Sequence, residues 1–484
     1  MEKNLHTLVA VLLFIGAVVF WRLDFDPLGK KTLSASDLSE DMPVDLKKLQ
    51  KHVSTLLLAD PVLSSRERDL AGLGRKLFFD ARLSKNGLVS CASCHQPDKS
   101  FTDGLQVGHG IGVTKRNTPS VVNSFAMFWF FWDGRADSLA AQALGPLEDK
   151  NEHGLARTEV IAHLLSEYKA DYERLFGQQN AALLTDLPLV AKPLKSLLLV
   201  SWQLANAAAA SLTNNDAVES MERKRANKFL DFRTAFNADV EAVDRADEEA
   251  ALNYQRMNLE NRRALDRAFA NVGLALEAYQ KGIVANQSPF DRFAASWVPG
   301  SAEQPEQHFN DTFGSEEFAG LKLFLGKGSC DSCHAGPIFS DNQFHNIGLQ
   351  LLPGSHLQLG RSRGVILAKN DAFNCKGVFA EYPERQSIES CQDIPYLDSE
   401  SPEGLGSFKT PSLRNVADTA PYMHDGHMET LRHVLDHYNR LDTAAAVGFR
   451  EETLKPLAFN EGELAALEAF LKSLTSSVVD KTLP

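Results

Sequence analysis

The chain has 484 residues, of which 44% are hydrophobic and 23% charged, and a formal net charge of −13. That length accommodates two or three domains with real cores. The acidic balance excludes nucleic-acid binding through a basic face and leaves either simple solubility or docking of a basic partner.

At the N-terminus, Met1-Glu2-Lys3 precedes an apolar run from Leu5 to Trp21 that only His6, Thr7 and Gly16 interrupt. The run is close to the lower length limit of a transmembrane helix. A cleaved signal peptide calls for small residues just after it, but Arg22-Leu23-Asp24-Phe25-Asp26 follows. The expectation is an uncleaved anchor at residues 5–21, within a segment 1–24, with the remainder periplasmic; a cleaved signal is the alternative. Residues 25–60 are polar and read as a tether followed by a first helix.

Residues 61–178 carry Gly74-Arg75-Lys76-Leu77-Phe78, then Cys91-Ala92-Ser93-Cys94-His95, then Phe101-Thr102-Asp103. Residues 263–484 repeat this order with Gly320-Leu321-Lys322-Leu323-Phe324, Cys330-Asp331-Ser332-Cys333-His334 and Phe339-Ser340-Asp341. In CxxCH, two cysteines form thioethers to the two vinyl groups of one haem and the adjacent histidine falls beneath its iron. Cys91, Cys94 and His95 thus hold one haem c, and Cys330, Cys333 and His334 a second. A zinc-binding or redox CxxC is the competing reading of each motif. The repeated order implies two haem domains related by duplication.

Between them, the stretch from Leu194 to Val272 contains neither Gly nor Pro and is rich in helix formers. It predicts a helical insertion, residues 179–262, of two or more long helices. The remaining cysteines, Cys375 and Cys391, lie in one polar loop. In an oxidising compartment they close a disulfide worth on the order of 3 kcal/mol; two free thiols are the alternative. Strand signals are weak throughout. The fold class is mostly α: two c-type cytochrome domains with long loops, an inserted helical segment and an N-terminal membrane anchor.

Further motifs are Gly108-His109-Gly110, Arg116-Asn117-Thr118-Pro119, Phe131-Trp132-Asp133-Gly134-Arg135-Ala136, Ser288-Pro289-Phe290-Asp291-Arg292, Thr410-Pro411-Ser412-Leu413-Arg414-Asn415-Val416 and Thr419-Ala420-Pro421-Tyr422-Met423-His424-Asp425-Gly426. On these residues the chain resembles the bacterial di-haem cytochrome c peroxidase family, which includes the MauG-type enzymes. The resemblance covers nearly all of residues 65–175 and 260–475; the segment 180–260 is outside the common family core.

The resemblance implies that hydrogen peroxide meets the His95 haem, while the His334 haem passes electrons or shares oxidising equivalents. Glu152 and Gln142 match the family's distal pair, with Glu152 as general acid/base and Gln142 as orienting amide. Without the motif, Glu152 reads as a solvated surface charge. His109 matches a residue that caps the resting N-terminal haem and swings away on activation; a surface-loop histidine is the plain alternative. Trp132 matches the residue between the haems that relays electrons, although its aromatic-rich run alone reads as core.

In many members a methionine caps the second haem twelve residues beyond the His-Asp-Gly glycine; counting from Gly426 reaches Tyr438. MauG-like members carry tyrosine there as axial ligand, and phenolate favours ferric and higher-valent iron where thioether raises the potential. Met423 and Met428 are nearby alternatives that do not match the position, and a core tyrosine is a third reading. The family also holds Ca²⁺ between the haems, which implies Asn117 through its side chain and Thr419 and Pro421 through carbonyls.

Three functions follow in order. The first is a periplasmic peroxidase that reduces hydrogen peroxide with electrons from a small cytochrome c or cupredoxin. The second is MauG-like, peroxide-dependent oxidation of a protein or small-molecule substrate. The third is a non-enzymatic electron-transfer cytochrome. Family precedent also implies a homodimer.

Overall fold

A computed structural model of the chain describes residues 46–178, 184, 253–297, 299–300, 303–350, 358–380, 389–443 and 445–482. The apolar run at residues 5–21 and nearly all of the 179–262 insertion lie outside the described residues. Among the described residues no helix is long and apolar enough to cross a membrane.

The described fold is mostly helical, with strands only two residues long. Its first core forms around the helix Ser65–Phe79. Ser64 caps that helix: its hydroxyl accepts from Glu67 N at 3.1 Å while the Glu67 carboxylate accepts from Ser64 N at 2.9 Å. Leu70, Leu73, Leu77 and Phe78 recur at helical spacing and are buried. They face the 23-residue helix Leu259–Lys281, which buries Leu265, Phe269, Val272 and Leu276. Glycine permits the crossing: a Cβ on Gly74 would lie 1.8 Å from Ala275 O.

A second core repeats the device. The helix Ser315–Leu325 crosses Glu461–Lys472 at Gly320, where a Cβ would lie 2.0 Å from Ala466 O. Aromatic rings fill this core, with Phe293 stacked on Phe313 at 4.4 Å and Phe290 edge-on to Phe339 and Phe470.

Two equivalent asparagines fasten the segment that follows each long helix. Asn123 (φ 58°) and Asn415 (φ 57°) occupy the left-handed region, which asparagine tolerates. The Asn123 side chain donates to Ala285 O at 2.8 Å and accepts from Ala285 N at 2.9 Å. The Asn415 side chain donates to Ser476 O at 2.7 Å and accepts from Ser476 N at 3.3 Å.

Two packing relations were not readable as boundaries. The helix Leu259–Lys281 straddles the division drawn at 262/263, and its apolar face belongs to the first core, not to the unit carrying the second CxxCH. Likewise, the helix Leu46–Thr55, at the end of the tether, packs Leu49 and Val53 into the second core. Amphipathic periodicity reveals that a face is buried, not which core receives it. Cys375 and Cys391 form a disulfide, with their Cα atoms 5.7 Å apart.

The short antiparallel pairing of Phe344–His345 with Phe408–Lys409 sets Lys409 opposite Phe344. Close by, the turn at Asp133-Gly134 presses onto the helix Arg361–Asn370. A Cβ on Gly364 would lie 1.8 Å from Asp133 O, and the buried Arg361 donates to Gly134 O at 2.5 Å.

Candidate functional site

Both CxxCH histidines are oriented in the same way. His95 Nδ1 lies 3.2 Å from Phe101 O, and His334 Nδ1 lies 2.9 Å from Phe339 O. A backbone carbonyl on Nδ1 fixes the tautomer that leaves Nε2 free to bind a metal. Burial lowers the pKa of both imidazoles, which favours the neutral ligand form. Phe101 (φ 57°) and Phe339 (φ 53°) both adopt the left-handed conformation that turns these carbonyls inward. With two sulfurs and one oriented imidazole, each motif has the donor set that a haem c requires.

The loop bearing Phe339 is clamped from behind. Arg414 meets both Asp291 oxygens at 2.9 and 3.0 Å and donates to Leu56 O at 2.9 Å and Pro337 O at 2.5 Å. Ser412 Oγ donates to Ile338 O at 2.8 Å. The sequence motifs containing Asp291 and Arg414 signalled importance without disclosing that the two meet.

Near the first motif, Glu152 is half-buried in the turn after the helix Leu139–Glu148. Its pKa is pushed up to about 7, first by burial and then by the Asp149 charge, with Arg135 opposing. Its charge contributes to raising the Cys91 and Cys94 thiols, whose main cause is burial. The carboxyl is therefore electrically close to both sulfurs. The backbone around Glu152 supports the His109 loop: Ile111 N donates to Glu152 O at 3.0 Å, and a Cβ on Gly110 would lie 2.4 Å from Asn151 O. His109 is exposed, and its carbonyl lies 3.5 Å from Cys94 Sγ. Gln142 is half-buried on the helix Leu139–Glu148.

A cavity of about 530 Å³ adjoins the second motif. Cys330, Cys333, His334 and Tyr438 line it, as do Met423 and Trp132. Asn117, Thr419 and Pro421 reach the same cavity, and Asn117 Nδ2 donates to Leu105 O at 3.0 Å, which leaves Oδ1 as an acceptor. Tyr438 projects from the helix Leu431–Arg440, while Leu435, three residues earlier, is buried in the second core. Burial raises the Tyr438 phenol pKa, and the Cys333 and Cys330 charges add to it. Once the sulfurs are thioethers only the burial contribution persists. Glu152, Gln142 and His109 do not line this cavity.

Trp132 joins the two halves. Its indole N–H donates to Asn117 O at 2.9 Å, and its own carbonyl accepts from Lys409 N at 2.8 Å. Asn117 and Lys409 each immediately precede a Thr-Pro-Ser sequence, so they are equivalent positions of the duplicated unit. Sequence reasoning missed Lys409, although the repeat Asn117-Thr118-Pro119-Ser120 and Lys409-Thr410-Pro411-Ser412 could have found it.

His345, also on the cavity wall, sits between two carboxylates: Nε2 lies 2.8 Å from Asp341 and Nδ1 lies 3.2 Å from Glu451. The Asp341 hydrogen bond, first among several causes, pushes its pKa up; the Cys333 contribution falls away once that sulfur is a thioether, but the two carboxylates still favour the imidazolium. Cys333, Asp341 and His345 are close enough to share a metal ion. A thioether at Cys333 removes the thiolate such an ion would need, and an imidazolium has no free lone pair, so the cluster is an ion-pair network.

A family model described as di-haem cytochrome c peroxidase matches residues 68–196. Methylamine utilization protein MauG of Methylorubrum extorquens is 29% identical over 415 residues, covering 85% of this chain and 80% of that protein. Cytochrome-c peroxidase IdrP2 of Denitromonas iodatirespirans is 28% identical over 433 residues, 88% of each chain. Cytochrome c551 peroxidase of Nitrosomonas europaea is 24% identical over 462 residues, 94% of this chain and 95% of that protein. The crystal structure of the diheme peroxidase BthA from Burkholderia thailandensis shares the fold, with a TM-score of 0.51 at 20% identity over 84% of this chain and 86% of that one.

Proposed function

We propose that this chain, which belongs to the di-haem cytochrome c peroxidase family, meets hydrogen peroxide beside the haem held by Cys91, Cys94 and His95 and exchanges electrons through the haem held by Cys330, Cys333 and His334. It is a peroxidase-type oxidoreductase, and its family carries two haem c groups. When bound, each haem supplies an iron centre that takes up and releases single electrons.

The observation that carries this reading is Glu152, a half-buried carboxyl beside the first pair of sulfurs, pushed up to about 7. Reduction of one peroxide to two waters consumes two electrons and two protons. A carboxyl balanced between its two forms near neutrality can take a proton from one peroxide oxygen and return it to the other. Gln142, ten residues earlier, orients the peroxide through its amide. Trp132, bonded to both halves, couples the first centre to the second. His109, on a glycine-flanked loop beside Cys94, caps the first centre. Asn117 Oδ1 and the Thr419 and Pro421 carbonyls, which reach one cavity, would hold a Ca²⁺ ion as hard oxygen donors.

The remaining assignments extend the same reading. Each CxxCH core is a cytochrome c domain, residues 5–21 anchor a periplasmic homodimer to the inner membrane, and a small cytochrome c or cupredoxin supplies electrons.

One observation favours the MauG-like reading, in which peroxide equivalents oxidise a protein or small molecule. Tyr438, not a methionine, projects from the helix facing Cys330 and Cys333. As an axial ligand its phenolate would stabilise oxidised iron. Met423 shares the cavity as the weaker alternative. A pure electron-transfer cytochrome would leave Glu152 without a task.

Stoichiometric peroxide added to fully ferric and to half-reduced protein separates the three. Turnover with donor after half-reduction supports the peroxidase. Reaction of the fully ferric form supports substrate oxidation. Inertness of both forms overturns the enzymatic reading.

A further inference from the structure

Lys409 is a buried cation that no ion pair among the described residues accounts for. It lies on the wall of the cavity shared by Cys330, Cys333 and His334, with 9% of its surface exposed. Its Nζ donates to Thr410 O at 3.2 Å, and no carboxylate of the described residues pairs with it. Asp341 acts on it from a distance, but the Asp341 carboxylate is already engaged by His345 at 2.8 Å and by Gln343 N at 2.9 Å. Burial pulls its pKa down to about 8, which leaves the ammonium mostly charged at neutral pH. A buried ammonium without an anion is costly, and an arriving anion relieves that cost while keeping the group charged. A porphyrin attached at Cys330 and Cys333 brings two carboxylates into this cavity.

We propose that Lys409 is a positioning residue whose ammonium is the counter-charge for a propionate of the second haem. The inference rests on the di-haem reading and adds an assignment to it. The backbone N–H of the same residue donates to Trp132 O, so the counter-charge and the inter-haem tryptophan are carried by adjoining groups. The equivalent residue of the first half, Asn117, is neutral. The duplicated unit thus gives its two haems unequal electrostatic surroundings at the same place.

The test uses holoprotein of the wild type, Lys409→Met, Lys409→Gln and Lys409→Arg. Mass spectrometry counts attached porphyrins, and spectroelectrochemical titration resolves the two haems. A nearby cation opposes the additional positive charge of ferric iron. Both neutral variants are therefore expected to lower the midpoint potential of the second haem, leave the first unmoved and be rescued by arginine. Failure of the neutral variants to retain the second porphyrin, with retention in Lys409→Arg, supports the same role. An unchanged second potential in a fully loaded neutral variant overturns the proposal, as does an equal shift of both haems or a Lys409→Arg variant that behaves like Lys409→Met. Wild-type protein lacking porphyrin would instead overturn the di-haem premise, a distinguishable result.

Discussion

Asn117 and Lys409, equivalent residues of two diverged repeats, are bridged by Trp132: one accepts from its indole at 2.9 Å and the other donates to its carbonyl at 2.8 Å. Trp132→Phe deletes only the first bond and the indole's redox capacity. The lost hydrogen bond costs about 1 kcal/mol of stability. Electron exchange between the haems slows far more than that loss explains, as stopped-flow spectroscopy after peroxide addition would record. An unchanged exchange rate removes Trp132 from the path.

Glu152→Gln keeps the shape of the side chain and abolishes its proton exchange. Peroxide-driven haem spectral changes slow by roughly 10²–10⁴-fold. Because the carboxyl is pushed up to about 7, the basic form accumulates only above that pH. The wild-type rate therefore rises through neutrality and levels off, while the variant's profile is flat there. The stability effect has the opposite sense. The folded state holds this proton more tightly than the unfolded chain does, so the contribution is present below the ordinary value of 4.5 and is lost as pH rises through about 7. A wild-type pH profile retained in the variant argues against the proton role.

The CxxCH motifs were legible because thioether chemistry demands fixed local spacing, and the duplication because Gly74 and Gly320 recur at equal places. What it hid was pairing at a distance. Nothing local to the helix Leu259–Lys281 says that it joins the first core, and nothing local to Asp291 names Arg414 as its partner. The orienting carbonyls of Phe101 and Phe339 were hidden because backbone direction is set by φ, not by residue type. Glu152 stood out only through the match to the family's distal pair; its raised pKa arises first from burial, which a charged local sequence conceals.

Gly74→Ala and Gly72→Ala, two positions apart on the helix Ser65–Phe79, should differ in sign. A Cβ at Gly74 would meet Ala275 O at 1.8 Å, whereas at Gly72 nothing lies within 4 Å. Chemical denaturation is expected to show a loss of about 1–3 kcal/mol for the first and a gain of up to about 1 kcal/mol for the second. Equal effects would contradict the close crossing.

Arg414→Met leaves Asp291 buried without its partner and releases Pro337 O. Breaking a buried pair from one side costs about 3–5 kcal/mol, enough to lower the Tm by several degrees. The His334 haem, whose proximal loop loses its clamp, becomes heterogeneous in its electron paramagnetic resonance spectrum while the His95 haem does not. A single sharp signal from both haems would refute the clamp.

Tyr438→Met replaces a phenol with a thioether in the second cavity. If the phenol is the axial ligand, the variant gains a methionine–iron charge-transfer band and a higher midpoint potential at that haem. A wild-type protein that already shows the band would hand the ligand role to Met423.

The tight seam at Gly364, Asp133 and Arg361 bears on how charge crosses the molecule. With backbone pressed on backbone at Asp133, the residue after Trp132, an electron passing through the indole would need no segment to travel there. Thickening the solvent with glycerol would then leave the internal hop untouched and slow only the arrivals from outside, peroxide and donor.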